Sequence, residues 1–96
     1  MTTSAPARAS VSASLALEGA RHGITANAIV PGIIGTEAFN FGNPEMNERM
    51  VKRTALRRAG DPQDVANAIA FLCSELASYV TGVALEVSGG IELFTF

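Results

Sequence analysis

Two short apolar runs, each halted by glycine, constrain this chain more than any other feature. The first covers residues 24–30, includes Ile29 and Val30, and stops at Pro31-Gly32. The second, Val83-Ala84-Leu85-Glu86-Val87, stops at Gly89-Gly90. Between them Val65, Ile69, Leu72, Cys73 and Leu76 recur near the 3.6-residue helical period. Strand, helical crossover and strand form a βαβ unit, whose strands run parallel as neighbours. The nearly continuous apolar character of the first run predicts a strand covered on both faces. The chain therefore reads as an α/β fold in the order α-β-α-α-β.

The helical segments carry their own start and stop signals. Pro6 suits a first turn, and Ala7, Val11, Ser14 and Leu15, flanked by Leu17, give a first helix with a small-residue face. Gly23 suits a left-handed stop, with Arg21 and His22 near the negative helix end. Asn43 is placed to cap a short second helix, with Pro44 in its first turn and Glu45 at its positive end. Met46 and Met50 are expected to face inward, with Lys52 and Arg53 at the far end. After Gly60, Asp61 caps the third helix, Pro62 fills its first position and Asp64 adds negative charge.

Ninety-six residues make one small domain. A hydrophobic fraction of 48% with 17% charged residues fits a globular chain rather than a disordered one. The net charge of -2 offers nothing to attract nucleic acid or an anionic membrane. No apolar run reaches the roughly 18 residues of a membrane span. The alanine- and serine-rich start, with Arg8 its one basic residue, runs unbroken into Leu15-Ala16-Leu17-Glu18 and is read as helix, not as a targeting leader. One cysteine, Cys73, excludes an internal disulfide and places the expected location in the reducing cytoplasm.

Few residues carry a chemical signal. Tyr79 is the only tyrosine, lies beside no lysine, and reads as a structural residue with its hydroxyl at the surface. His22 has no carboxylate or serine at a useful spacing. Cys73 falls on the apolar stripe and reads as a small core residue. Asp61 and Asp64 read as helix-start residues, and no group of ligands has metal-binding spacing. What remains is the stretch Pro31-Gly32-Ile33-Ile34-Gly35-Thr36. A buried strand broken by proline and glycine leaves backbone groups and a hydroxyl at the carboxyl edge of a sheet, where open α/β sheets bind ligands. By itself the same stretch also serves as a plain strand terminator.

Several segments together resemble the short-chain dehydrogenase/reductase family. They are Leu15-Ala16-Leu17-Glu18, Gly23-Ile24-Thr25-Ala26-Asn27 and the Pro31–Thr36 stretch, followed by Gly60-Asp61-Pro62-Gln63-Asp64-Val65-Ala66 and Phe71-Leu72-Cys73-Ser74. Ala77-Ser78-Tyr79-Val80-Thr81-Gly82 and Val87-Ser88-Gly89-Gly90 complete the set, in the family's order across nearly the whole chain. The resemblance implies a partial Rossmann-like domain over residues 1–96, the C-terminal part of a doubly wound sheet with two parallel strands. It implies an NAD(P)-dependent oxidoreductase in which Pro31 and Gly32 border the nicotinamide. Ile34 would offer backbone groups to the carboxamide, and the Thr36 hydroxyl would reach the carboxamide or pyrophosphate. Residues 37–58 would form a substrate lid, with Phe39, Phe41, Met46 and Met50 pointing to an apolar substrate. It also implies association, with itself or with a full-length family member, through the first helix and the last helix and strand.

The departures matter equally. No strand leads into a glycine-rich phosphate loop. Counting back from Glu18, the family's catalytic tyrosine and lysine fall on Met1 and Ala5, neither of which supplies a proton or a charge. Ser88 stands where an aspartate is common before Gly-Gly. Catalytic residues are therefore expected to be absent, and the chain alone inactive. Three readings follow: part of a reductase, a non-catalytic subunit of a complete one, or a remnant without function.

Overall fold

The computed structural model describes residues 5–37 and 42–93, with side chains described from Ser12 onward and not at Glu92. Helix α1 runs over Ala5–Ala20, strand β1 over Ala28–Pro31, helix α2 over Pro44–Lys52 and helix α3 over Pro62–Leu72. Strand β2, Ala84–Val87, pairs with β1 in a two-stranded sheet. Short 3-10 turns follow α3 at Glu75–Ala77 and β2 at Ile91–Leu93. The amide of Ala28 donates to the carbonyl of Val83 and that of Gly32 to Val87. Equal steps in the same direction along both strands make the pair parallel. The expected α-β-α-α-β order and partial Rossmann-like α/β fold are present.

The residues divide into two compact units, one of 1–30 and 69–85, the other of 31–68 and 86–96. In the first unit α1 closes with the two bonds of a Schellman stop: Ile24 N–H to Gly19 C=O and Gly23 N–H to Ala20 C=O. Gly23 has φ of +70°. The helix ends at Ala20, so Arg21 and His22 occupy the turn instead of the last helical turn. Buried Ser12 donates from Oγ to the Val83 carbonyl at 2.9 Å, tying α1 to the start of β2. Asn27 bridges the same connection, donating from Nδ2 to Val80 C=O and accepting from Val83 N–H.

In the second unit the capping signals act as read. Asn43 accepts the amides of Glu45 and Met46 through its side chain. Asp61 accepts from Gln63 N–H, and Asp64 reaches back to Asp61 N–H at 2.8 Å, a reciprocal capping box. Thr54, only 1% exposed, anchors the connection between α2 and α3. Its hydroxyl donates to Val51 C=O at 2.8 Å and accepts from Arg58 N–H at 3.2 Å.

Several expectations are corrected. The first strand begins at Ala28, not at residue 24; Ile24, Ala26 and Asn27 bond instead to residues 19 and 80–83. Residues 28–30 are half-buried, not covered on both faces. No residue of α3 is buried, and Leu76, in the turn beyond it, is 84% exposed. Met46 and Met50 do not face inward; they are 54% and 39% exposed. Cys73 is exposed rather than a core residue. Periodicity identifies an apolar face, but burial requires a neighbour to cover it, and the described residues supply few. Ala7, Val11, Phe39 and Phe41 carry side-chain expectations that lie outside the described residues.

Thr54→Val keeps the shape but leaves the Arg58 amide without its acceptor, and is expected to destabilise the fold by about 1–3 kcal/mol in urea unfolding. Asp61→Ala removes one arm of the capping box and should cost about 1 kcal/mol.

Candidate functional site

The predicted stretch is a single loop held from three directions within the second unit. β1 ends at exposed Pro31, and the Gly32 amide adds one further bond to the ladder, 3.0 Å to Val87 C=O. A Cβ at position 32 would lie 2.7 Å from Ser88 Cβ and 2.8 Å from Ser88 Cα, so only glycine fits against that backbone. Ile33 is buried and anchors the loop.

Ile34 forms an isolated parallel bridge with Gly60. The bonds are Gly60 N–H to Ile33 C=O at 2.8 Å and Gly35 N–H to Gly60 C=O at 2.7 Å. A parallel bridge of this kind uses the groups on either side of the central residue, so the N–H and C=O of Ile34 itself face away from Gly60. The Ile34 carbonyl accepts the Thr36 amide at 2.8 Å, a three-residue turn that leaves the Thr36 side chain exposed. Pro31, Gly32, Ile34 and Thr36 thus lie together on one fixed loop.

The segment that follows α2 is fixed as well. The Leu56 amide donates to Gly89 C=O at 3.0 Å. Gly90, at φ of +81°, would place a Cβ 2.8 Å from that of Ala55. Both the conformation and the approach exclude a side chain there.

Beside the loop lies a cleft of about 310 Å³, lined by Ile33, Leu56, Arg58, Gly60, Asp64 and Ser88 among others. None of the four predicted residues lines it. Arg58 pairs with Asp64 at 3.4 Å, with both side chains substantially solvent-accessible. The Asp61 backbone amide, and after it the Arg58 guanidinium, hold the Asp64 carboxyl below the usual carboxylate range. The sequence reading treats Asp64 as a helix-start residue, which it is, but does not anticipate Arg58. The only signal was a basic residue six positions before an acid across a glycine.

Tyr79 is 101% exposed, in agreement with a hydroxyl at the surface. His22 lies in the turn after α1. Among the described residues no three His, Cys, Asp or Glu side chains are grouped to hold a metal ion, and no helix is long and apolar enough to cross a membrane.

Comparison with known proteins gives this loop a context. Residues 1–92 match the family model described as enoyl-(acyl carrier protein) reductase. The chain is 46% identical over 91 residues to protein FixR of Bradyrhizobium diazoefficiens, covering 95% of this chain and 32% of that protein. It superposes with a TM-score of 0.86 and 36% identity on the 3-oxoacyl-[acyl-carrier protein] reductase of Brucella melitensis, covering 90% of this chain and 32% of that one. A second structure, the NADPH-dependent reductase YwfH involved in bacilysin biosynthesis, matches with a TM-score of 0.77 and 31% identity over 90% of this chain and 37% of that one. The chain spans about a third of the length of the curated relatives it matches.

Gly32→Ala should displace the Ser88 backbone and destabilise the fold by about 1–3 kcal/mol, measured by urea unfolding. Because the Asp64 pKa is lowered on folding, its contribution to stability is complete above the unfolded value of about 3.9 and is lost as pH falls through the folded value. Wild type is therefore expected to exceed Asp64→Asn in stability at pH 7. The two should converge in strong acid, as followed by the helical circular dichroism signal.

Proposed function

This chain belongs to the short-chain dehydrogenase/reductase family, corresponding to its C-terminal part, and we propose that it supplies the nicotinamide side of an NAD(P)-dependent oxidoreductase acting on a carbonyl or alcohol. The observation that carries this reading is the Ile34 bridge. It turns the Ile34 N–H away from Gly60, on the loop that also carries the exposed residues Pro31 and Thr36. A planar ring bearing a carboxamide calls for that set: an apolar surface against the ring, a backbone N–H for the amide oxygen, and a hydroxyl for the amide nitrogen or a phosphate oxygen. The bound dinucleotide supplies the hydride chemistry. The chain's own part is orientation. Pro31 and Gly32 border the ring, Ile34 fixes its rotation, and Thr36 holds the carboxamide or pyrophosphate.

Phosphate binding at the adenine end and proton transfer fall to groups outside these 96 residues. The only tyrosine and the only lysine, Tyr79 and Lys52, do not form a Tyr-x-x-x-Lys pair. A second reading, a non-catalytic subunit, draws on exposed Leu15, Leu17 and Leu76, apolar side chains of the kind a partner chain would cover. Sedimentation of the pure chain as a stable monomer would count against that subunit role.

The purified chain is expected to oxidise no NADH or NADPH with carbonyl substrates, and turnover would contradict the proposed division of labour. It should bind nicotinamide mononucleotide but not adenosine monophosphate in ligand-observed NMR. Thr36→Val should weaken the mononucleotide about fivefold, the effect of one hydrogen bond of about 1 kcal/mol. Equal binding of the two mononucleotides would overturn the assignment.

A further inference from the structure

We propose that the open edge of β1, at Asn27 and Ile29, pairs with the same edge of a second copy of this chain, antiparallel about a two-fold axis. The existing ladder identifies that edge. Gly82 N–H donates to Ala26 C=O, Ala28 N–H to Val83 C=O and Gly32 N–H to Val87 C=O, so the even-numbered residues bond toward β2. In a parallel ladder the alternate residues turn their N–H and C=O to the opposite side. Here those residues are Asn27 and Ile29, and among the described residues the sheet has no third strand to receive them. Asn27 reaches Val80 and Val83 through its side-chain amide, which leaves its backbone groups on the edge. A groove of about 500 Å³ continues from this edge to α3, lined by Ile29, Ile69, Leu72 and Ala77 among others. No charged side chain lines it, and Ile69 is 47% exposed.

The edge is complementary to itself. With Ala28 opposite Ala28 of the copy, Asn27 of each chain faces Ile29 of the other, and each facing pair exchanges both of its backbone bonds. Every donor and acceptor at 27 and 29 is then used. The close, non-hydrogen-bonded contact falls on Ala28, the smallest side chain of β1. A register that set Asn27 against Pro31 would lose a bond, because proline has no N–H to return. The uncharged groove brings no like charges together. The outer edge of β2 differs: its outward residues are Ala84 and Glu86, and self-pairing there would bring two carboxylates into one interface. Because each β1 edge covers the other about the axis, the assembly closes as a dimer with strand order β2-β1-β1-β2. This surface is separate from the Pro31–Thr36 loop, so the proposal does not depend on the nicotinamide reading.

The test is the oligomeric state of the purified 96-residue chain, followed together with residue-resolved amide hydrogen exchange. Sedimentation velocity is expected to pass from monomer to dimer between about 10 μM and about 1 mM, the range of a small interface. Over the same range the Asn27 and Ile29 amides should gain protection. The Ala28 amide, already bonded to Val83, should be protected throughout. Ile29→Pro removes the edge-facing N–H and leaves the bonds to β2 in place, a substitution that an open edge tolerates. It should weaken the dimer at least about tenfold, through the loss of one bond from each copy. Ile29→Lys keeps the amide but puts a like charge on both copies, and should weaken the dimer as well. Circular dichroism reports whether each variant keeps the fold, and the exchange pattern of the unsubstituted chain decides the question even where a variant does not. A chain that stays monomeric at about 1 mM, a dimer insensitive to folded Ile29→Pro, or protection gained at Ala84 and Glu86 instead of Asn27 and Ile29 would overturn the proposal.

Discussion

The contact on which the candidate site depends is the approach of Gly32 to Ser88. There the backbones lie so close that even one methyl group would be 2.7 Å from the neighbouring Cβ. That approach lets the Gly32 amide reach Val87 and continue the ladder past Pro31, which has no amide proton of its own to give. The chain then proceeds to the Gly60 bridge instead of diverging at the proline. The glycine is thus a packing requirement, and the direction of Ile34 follows from it.

A similar logic applies on the other side of the unit. The residue pair Gly89-Gly90 closes β2 and receives the segment after α2 through Leu56 and Ala55. Thr54, deeply buried between α2 and α3, satisfies its hydroxyl and the Arg58 amide together. Arg58 in turn reaches Asp64, whose carboxylate also closes the capping box of α3. The loop, the segment after α2 and the start of α3 are therefore linked by polar contacts rather than by a large apolar core. The proposed cofactor edge belongs to this unit.

Local chemistry was legible in the sequence, and burial was not. Asn43, Asp61, Asp64 and Gly23 act through contacts a few residues away, so residue type and spacing suffice to predict their roles. The parallel strand pair was legible for a different reason: a helical crossover leaves little choice of direction. The start of β1 was misread because Ile24 and Thr25 have strand propensity, whereas Ala26 and Asn27 are held by distant Val80, Thr81 and Val83. Met46, Met50, Cys73 and Leu76 were misread because an apolar stripe was equated with a covered one. At the site, the stretch 31–36 was visible as a motif. The Gly60 bridge that orients it, and the Arg58–Asp64 pair beside it, join residues that no local pattern connects.

The central claim is that the loop bonds through residues 32, 35 and 60 while turning the Ile34 amide toward a ligand. Residue-resolved amide hydrogen exchange tests this directly. The account predicts that the Gly32, Gly35 and Gly60 amides are protected in the chain alone, whereas Ile34 exchanges freely and gains protection when nicotinamide mononucleotide is added. Protection of Ile34 without ligand, or no change at Ile34 under saturating mononucleotide, would contradict it.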